Sequence, residues 1–116
     1  MSPMKIIQAI LQGLISLVFV AAGVMNLTGG MESALLDLGY PAYLSTIIGG
    51  GYLFGVIFLY QPFVPVLQEW ALGGMAVALV GAASSHILHG DPFTAYVPAL
   101  ALILVFVIAA VLRYRT

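Results

Sequence analysis

Residues Ile6–Leu27 read IIQAILQGLISLVFVAAGVMNL, twenty-two consecutive positions without a charged side chain. An α-helix of this length extends about 33 Å, enough to cross a hydrocarbon core of about 30 Å. The run is also too long for the apolar core of a cleaved signal peptide, so we expect it to stay in the protein as a membrane span. The chain of 116 residues is 63% hydrophobic and 6% charged, whereas soluble domains carry about 25% charged residues. The sequence therefore predicts one integral membrane domain over residues 1–116.

The basic residues indicate how the spans are oriented. Lys5 lies near the start of the chain and Arg113 and Arg115 near its end, with no Lys or Arg between them. Cationic residues that flank membrane spans are retained in the cytoplasm, so we expect both termini to be cytoplasmic and the number of spans to be even. The chain would then be a multi-pass membrane protein.

Glu32 and Asp37 lie close together, so the acidic residues leave four long apolar segments, each long enough to be a membrane span. The predicted helices are Ile6–Leu27, Ala42–Tyr60, Trp70–Leu88 and Phe93–Leu112. Between the first two, Met31–Leu38 mixes acidic and apolar residues, as an interfacial amphipathic helix does. The predicted fold class is all-α: a four-helix transmembrane bundle with a short interfacial amphipathic helix between helices 1 and 2.

Turn and capping residues refine the ends of the later helices. Glu69 is expected in the first turn of the third helix, where an acid suits the helix dipole. Gly90 fits the position after the C-cap of that helix, Asp91 an N-cap and Pro92 the first residue of the fourth helix. Pro98 predicts either a kink near the start of the fourth helix or a later start.

Several classes of function are disfavoured by composition. The chain has no cysteine, which excludes disulfides, thiolate metal sites and thiol–disulfide exchange. Three basic residues give no surface for nucleic acid. No charged residue falls in the middle of a predicted span, and this argues against a pump or a proton-coupled transporter.

His86, His89 and Asp91 form the first candidate site, with Ser84 and Ser85 one turn earlier. The two histidines are three residues apart and share a helix face. Two imidazoles and a carboxylate can bind a divalent metal. Alternatively, the histidines interact with the carbonyls and dipole of a helix C-terminus, and the group lines an outward-facing pocket. The second interpretation carries more weight, and we assign no metal ligand.

The second candidate site is the glycine-rich face of the second predicted span. Gly49–Gly51 are consecutive, and Gly55 follows Gly51 by one helical turn. Small residues let helices approach closely in lipid, but a glycine surface can equally receive a flat ligand such as a quinone head group. Tyr52 could donate a hydrogen bond to a ligand carbonyl or simply pack as an aromatic. Gln8 and Gln12 are expected to form hydrogen bonds between helices.

Several short motifs occur in an order that resembles one family. They are Leu38-Gly39-Tyr40-Pro41-Ala42-Tyr43, the glycine-rich second span with its proline turn, Glu69-Trp70-Ala71, Gly81-Ala82, Ser85-His86 and Gly90-Asp91. Together they resemble the DoxX-like family of small bacterial membrane proteins over nearly the whole chain. The resemblance implies a four-helix transmembrane bundle in the bacterial inner (plasma) membrane. The bundle agrees with the charge pattern.

The resemblance implies less about function than about fold. Members of the wider group are linked to quinone-coupled sulfur oxidation, to membrane complexes handling oxidative stress, and to maturation or assembly of other proteins. The family's characteristic residues would correspond to Gly51, Gly55, Glu69, Trp70, Ser85, His86, Gly90 and Asp91. Two departures are evident. Tyr52 stands where the family commonly has a lysine, and the usually basic second connection has no cation between Gln61 and Gln68.

The leading functional hypothesis is an accessory subunit of a larger membrane redox complex, or a protein that holds a quinone or another lipophilic molecule for it. One alternative is a small membrane oxidoreductase with its site at the outer end of the third helix, and another is an assembly chaperone for a membrane protein. Expected partners are the lipid bilayer and a larger membrane complex or a second copy of the chain. The predicted ligand-binding residues are Gly51, Tyr52, Gly55, Trp70, Ser85, His86, His89 and Asp91; no catalytic residue is assigned.

Overall fold

The computed structural model describes residues 2–115. Five α-helices follow one another along the chain: α1 (Pro3–Leu27), α2 (Glu32–Asp37), α3 (Leu44–Tyr60), α4 (Pro65–His89) and α5 (Phe93–Arg115). No strand occurs among the described residues. Three long apolar helices, one shorter apolar helix and the short α2 between α1 and α3 confirm the predicted all-α, four-helix transmembrane fold.

The lengths of the helices agree with a membrane protein. The helices α1, α4 and α5 have 25, 25 and 23 residues and are long and apolar enough to cross a bilayer. The helix α3 has 17 residues and would extend about 26 Å, at the lower end of the range for a membrane span. By length and composition, three helices are therefore clear spans and α3 is a short one.

Two helices begin earlier than the sequence predicted. The helix α1 starts at Pro3 because Ser2 caps it: the Ser2 hydroxyl accepts a hydrogen bond from the Lys5 backbone N–H at 3.2 Å. The helix α4 starts at Pro65 rather than Trp70, since proline is well suited to the first helical position, where no N–H is needed. The prediction that Glu69 lies in the first turn of this helix is consequently wrong.

The other boundaries differ from prediction by a few residues. The helix α3 starts at Leu44 instead of Ala42, and α5 continues to Arg115 instead of Leu112. Pro98 lies inside α5, so the later start is not observed. Gly90 has φ of +82° and follows the last residue of α4, and the Asp91 N–H donates to the His86 carbonyl at 3.0 Å, which confirms the predicted glycine stop.

The described residues up to Leu17 and from Ala76 onward form one compact unit. Its buried apolar side chains come from all three of its helical segments: Ile15, Leu79, Ala83, Phe106 and Ala109. The Gln12 Oε1 atom accepts hydrogen bonds from Arg113 Nη1 at 2.9 Å and from Gln8 Nε2 at 2.8 Å. Gln12 therefore bonds between helices, as predicted, whereas Gln8 bonds within α1.

Residues Val18–Met75 form the second compact unit. Within it the C-terminal part of α1 and the helix α3 meet at a pair of glycines. A Cβ atom built on Gly49 would lie 2.8 Å from the Gly23 carbonyl oxygen and 2.7 Å from Leu27 Cγ. Real Cβ atoms essentially never approach so closely, so this contact requires glycine at position 49.

Contacts on either side of the glycine pair fix the register of α1 and α3. The Phe19 and Tyr52 rings meet edge to face with their centroids 4.7 Å apart. Toward the other end, the Ser45 hydroxyl donates to the Asn26 carbonyl, and Asn26 Nδ2 donates to the Ala22 carbonyl at 2.8 Å. Ser45 and Asn26 are 4% and 5% exposed, so their polar groups are satisfied inside the apolar contact, as burial requires.

Candidate functional site

A cavity of about 340 Å³ lies within the unit Val18–Met75, between the C-terminal part of α3 and the first turns of α4. We call it the α3–α4 cavity. Its lining comprises Phe19, Ile48, Gly51, Tyr52, Phe54, Gly55, Phe58, Trp70, Ala71, Gly74 and Met75. No lining residue is charged, and aromatic rings and glycines make up most of the surface.

The glycines leave the cavity open where other residues would fill it. A Cβ atom added to Gly51, Gly55 or Gly74 would meet no atom within 4 Å. Gly51 and Gly55 follow each other by one turn of α3, and Gly74 belongs to α4. The two helices therefore present bare backbone to the cavity, while the buried side chains of Ala71 and Met75 close part of its wall.

Two lining side chains can form hydrogen bonds with a ligand. The Tyr52 hydroxyl has no hydrogen-bond partner among the described residues, although the Tyr52 ring is held by Phe19. Trp70 is 65% exposed, and its indole N–H is a donor only. A ligand in this cavity would therefore meet an apolar surface with one hydroxyl and one N–H donor.

The cavity brings together four of the predicted ligand-binding residues: Gly51, Tyr52, Gly55 and Trp70. Sequence reasoning missed several others. Ile48 and Phe58 lie three residues before Gly51 and three after Gly55, on the same face of α3, so helical periodicity could have found them. Phe19 and Met75 belong to other helices, and the sequence of α3 carries no signal for them.

The other candidate site is a cluster of His86, His89 and Asp91 at the C-terminal end of α4. The two Asp91 carboxylate oxygens lie 2.6 Å from His86 Nδ1 and 2.7 Å from His89 Nδ1. A carboxylate can only accept hydrogen bonds, so both imidazoles donate from Nδ1. We call these three residues the His–Asp cluster.

Local backbone geometry accounts for the His–Asp cluster. The positive φ of Gly90 reverses the chain after His89 and returns Asp91 toward the last turn of the helix. His86 and His89 are one turn apart, so a single carboxylate reaches both rings. The predicted N-cap role of Asp91 is not observed: α5 begins at Phe93, and both Asp91 oxygens bond to histidines.

These hydrogen bonds also change the acidity of Asp91. Its pKa lies below the ordinary value, first because of the hydrogen bond from His86 and second because of the one from His89. The carboxylate therefore remains ionised and holds both rings in one orientation, as a carboxylate does for the imidazole of a proton-transfer site. Among the described residues, no group of three or more His, Cys, Asp or Glu side chains is arranged to hold a metal ion.

The remaining predicted residues lie next to these sites along the chain. Ser85 is half-buried and immediately precedes His86 in α4. Glu69 is one of the characteristic family residues that the resemblance implied. It precedes Trp70 in the chain but is exposed and does not line the α3–α4 cavity. The eight predicted ligand-binding residues thus fall into two groups in two different units, and their role in binding stays a prediction.

Comparison with known proteins identifies a family. A model of the DoxX-like family matches residues 10–109, which is most of the chain. No curated protein and no solved structure matches the sequence.

Proposed function

This chain belongs to the DoxX-like family, and we propose that it is a small accessory protein of a membrane redox complex that holds a lipophilic, quinone-like molecule in the α3–α4 cavity. The observation that carries the proposal is the open glycine surface of Gly51, Gly55 and Gly74 beside the Tyr52 hydroxyl, which has no hydrogen-bond partner within residues 2–115.

The size and surface of the cavity favour a small ring. Ligand sites commonly measure about 300–1,000 Å³, and a volume of about 340 Å³ is at the lower end of that range. Bare glycine backbone offers a flat wall, and the side chains of Phe54 and Phe58 offer aromatic contacts. A planar head group fits this surface better than a branched or charged molecule does.

The position of Tyr52 favours a neutral lipid that moves within the bilayer. Tyr52 is the middle residue of α3, with eight residues of the helix on either side, or about 12 Å to either end. A hydroxyl at that depth is costly unless a partner accepts its hydrogen bond. A quinone carbonyl can reach the middle of the bilayer, whereas the phosphate of a phospholipid stays at the interface.

The proposal includes a location and an orientation. We infer that the protein lies in the bacterial inner membrane with both termini in the cytoplasm, because Lys5, Arg113 and Arg115 are at the two ends of the chain. In this orientation the turn between α3 and α4 faces the cytoplasm, and the α3–α4 cavity lies on that side of the bilayer midplane.

The experiment that tests the function is isolation of the protein in mild detergent, followed by mass spectrometry of co-purifying lipids and proteins. The proposal expects a bound quinone-like molecule or a larger membrane partner in constant ratio to the chain. A Gly51→Leu variant should lose the lipid, because the new side chain projects into open space in the cavity. Recovery of the wild-type chain alone, as a monomer or self-oligomer without either companion, would contradict the proposal.

The hydrogen bonds of the His–Asp cluster favour a second candidate function, a small membrane oxidoreductase. Asp91 orients His86 for proton transfer, and Ser85 precedes it in the chain. This candidate expects a redox difference spectrum that is lost in His86→Ala. Purified protein without that signal would reject it.

A further inference from the structure

The turn between α3 and α4, Gln61–Pro65, differs from the other connections of the chain. We call it the proline turn. The connection from Thr28 to Tyr43 carries Glu32 and Asp37, and the one from Gly90 to Pro92 carries Asp91. The proline turn has no charged residue, and its tip is Phe63, which is 85% exposed. An uncharged turn that exposes an aromatic ring is unfavourable in contact with bulk water.

Every backbone N–H of the proline turn is either bonded or absent. The Phe63 and Val64 N–H groups both donate to Gln61 Oε1, at 3.0 and 2.9 Å. The Gln61 N–H donates to the Ile57 carbonyl at 3.0 Å. Pro62 and Pro65 have no N–H to satisfy. The turn therefore donates no backbone hydrogen bond to water.

Side chains also occupy backbone acceptors around the proline turn. Gln61 Nε2 donates to the Phe58 carbonyl at 3.1 Å and to the Val64 carbonyl at 2.7 Å. Gln68 Nε2 donates to the Gln61 carbonyl at 2.7 Å. Irregular backbone near the hydrocarbon region requires this internal satisfaction. Gln61 thus binds the two backbone N–H groups at the tip of the turn and the Val64 carbonyl without carrying a charge.

The level of the turn in the bilayer follows from nearby interfacial residues. Trp70 and Tyr60 are 65% and 54% exposed, and such aromatics favour the membrane–water interface. Pro65 precedes Glu69 by four residues of α4, or about 6 Å. The headgroup layer on each side of a bilayer is about 5–8 Å thick, from the difference between the total and hydrocarbon thicknesses. With Glu69 at the hydrocarbon boundary, Pro65, the last residue of the turn, would lie within that layer.

We propose that the proline turn lies within the lipid headgroup layer, with Phe63 inserted among the lipids as a membrane anchor. The turn has no Lys or Arg to bind anionic lipid. The apolar contact of Phe63 with lipid would attach it instead, so attachment does not depend on anionic lipid. The inference concerns the surface of the bilayer and does not depend on what the α3–α4 cavity holds.

Spin-label accessibility tests this proposal, because the natural chain has no cysteine. Phe63→Cys and Val64→Cys each place one label in the turn, and Ser33→Cys places a control label on the exposed side of α2. The labelled proteins are reconstituted in phosphatidylcholine vesicles, and collisions with oxygen and with a water-soluble nickel chelate are measured. We expect several-fold fewer nickel collisions and more oxygen collisions at positions 63 and 64 than at position 33.

Two results would overturn the proposal. Nickel collisions at positions 63 and 64 equal to those at position 33 would place the turn in water. Low collision rates with both reagents would mean that protein, either a second copy or a partner, covers the turn. The Val64→Cys protein keeps the Phe63 ring. If its collision rates agree with those of Phe63→Cys, the result is not caused by the loss of that ring.

Discussion

Gly49 of α3 lies against Gly23 of α1 so closely that a Cβ on Gly49 would be 2.8 Å from the Gly23 carbonyl oxygen. Backbone cannot move aside as a flexible side chain can, so the two helices must separate to admit a methyl group. The Gly23–Gly49 contact holds Tyr52 at its place in the α3–α4 cavity. The Phe19–Tyr52 ring contact lies on one side of it and the Asn26–Ser45 hydrogen bond on the other.

Gly49→Ala should therefore destabilise the protein by about 1–3 kcal/mol, the usual cost of overpacking. Gly50→Ala is the matched control, since its Cβ would meet nothing within 4 Å and alanine stabilises a helix interior by about 0.5–1 kcal/mol relative to glycine. Thermal unfolding of both variants in the same detergent measures the difference. Equal stability of the two variants would show that the helices do not meet at Gly49.

Asp91→Asn should remove a stability contribution that depends on pH. The hydrogen bonds from His86 and His89 lower the pKa of Asp91 in the folded state. Their contribution is complete above the unfolded pKa of about 3.9 and is lost as the pH falls through the lower folded-state pKa. The wild type should therefore melt at a higher temperature at pH 7 than at pH 3, and Asp91→Asn should reduce that difference.

Asp37→Asn is the control for this experiment, because Asp37 is an exposed carboxylate of α2. It should leave the pH dependence of melting as it is in the wild type. If Asp91→Asn also leaves the pH dependence unchanged, the His–Asp cluster does not stabilise the connection between α4 and α5.

Tyr52→Phe should weaken ligand binding while leaving the fold intact. The substitution keeps the ring that packs on Phe19 and removes only the hydroxyl, whose hydrogen bond contributes about 0.5–1.5 kcal/mol. The binding free energy of an added short-tailed quinone, measured by calorimetry in detergent, should weaken by that amount. Tyr43→Phe is the control, since Tyr43 is exposed and does not line the cavity. If the quinone binds Tyr52→Phe as tightly as it binds the wild type, it does not form a hydrogen bond with the Tyr52 hydroxyl.

The topology can be tested with reporters at the ends and in the first connection. In the proposed orientation, Arg113 and Arg115 keep the C-terminus in the cytoplasm, so a fluorescent protein fused after Thr116 should fluoresce and alkaline phosphatase at the same place should be inactive. A cysteine at Ser33 should react with a membrane-impermeant maleimide added to intact cells. Active phosphatase at the C-terminus, or a protected residue 33, would contradict the proposed orientation.

The sequence predicted the helices well because helix formation in lipid depends on long apolar runs and on turn residues such as Gly39 and Gly90. It misplaced the start of α4 because Trp70 suggests an interface but does not start a helix. Pro65 begins that helix five residues earlier. The position of the interface and the end of a helix are separate properties of a membrane protein.

The candidate site was harder to predict because it depends on the register between helices. Gly49, Gly50 and Gly51 are equivalent in a sequence, yet only Gly49 faces Gly23, while Gly51 faces the open cavity. The neighbours of Asp91 along the chain favour an N-cap role for it. The competing bonds to His86 and His89 arise only after Gly90 has reversed the chain.

Fluorescence of the single tryptophan tests most directly whether the α3–α4 cavity binds a quinone-like ring, because Trp70 lines that cavity. A short-tailed benzoquinone is titrated into the purified protein, with Gly73→Leu as the control. Gly73 also has open space around it but does not line the cavity. We predict saturable quenching in the wild type and in Gly73→Leu, and its loss in Gly51→Leu. Quenching that rises linearly without saturation, or that is the same in Gly51→Leu, would contradict binding in the cavity.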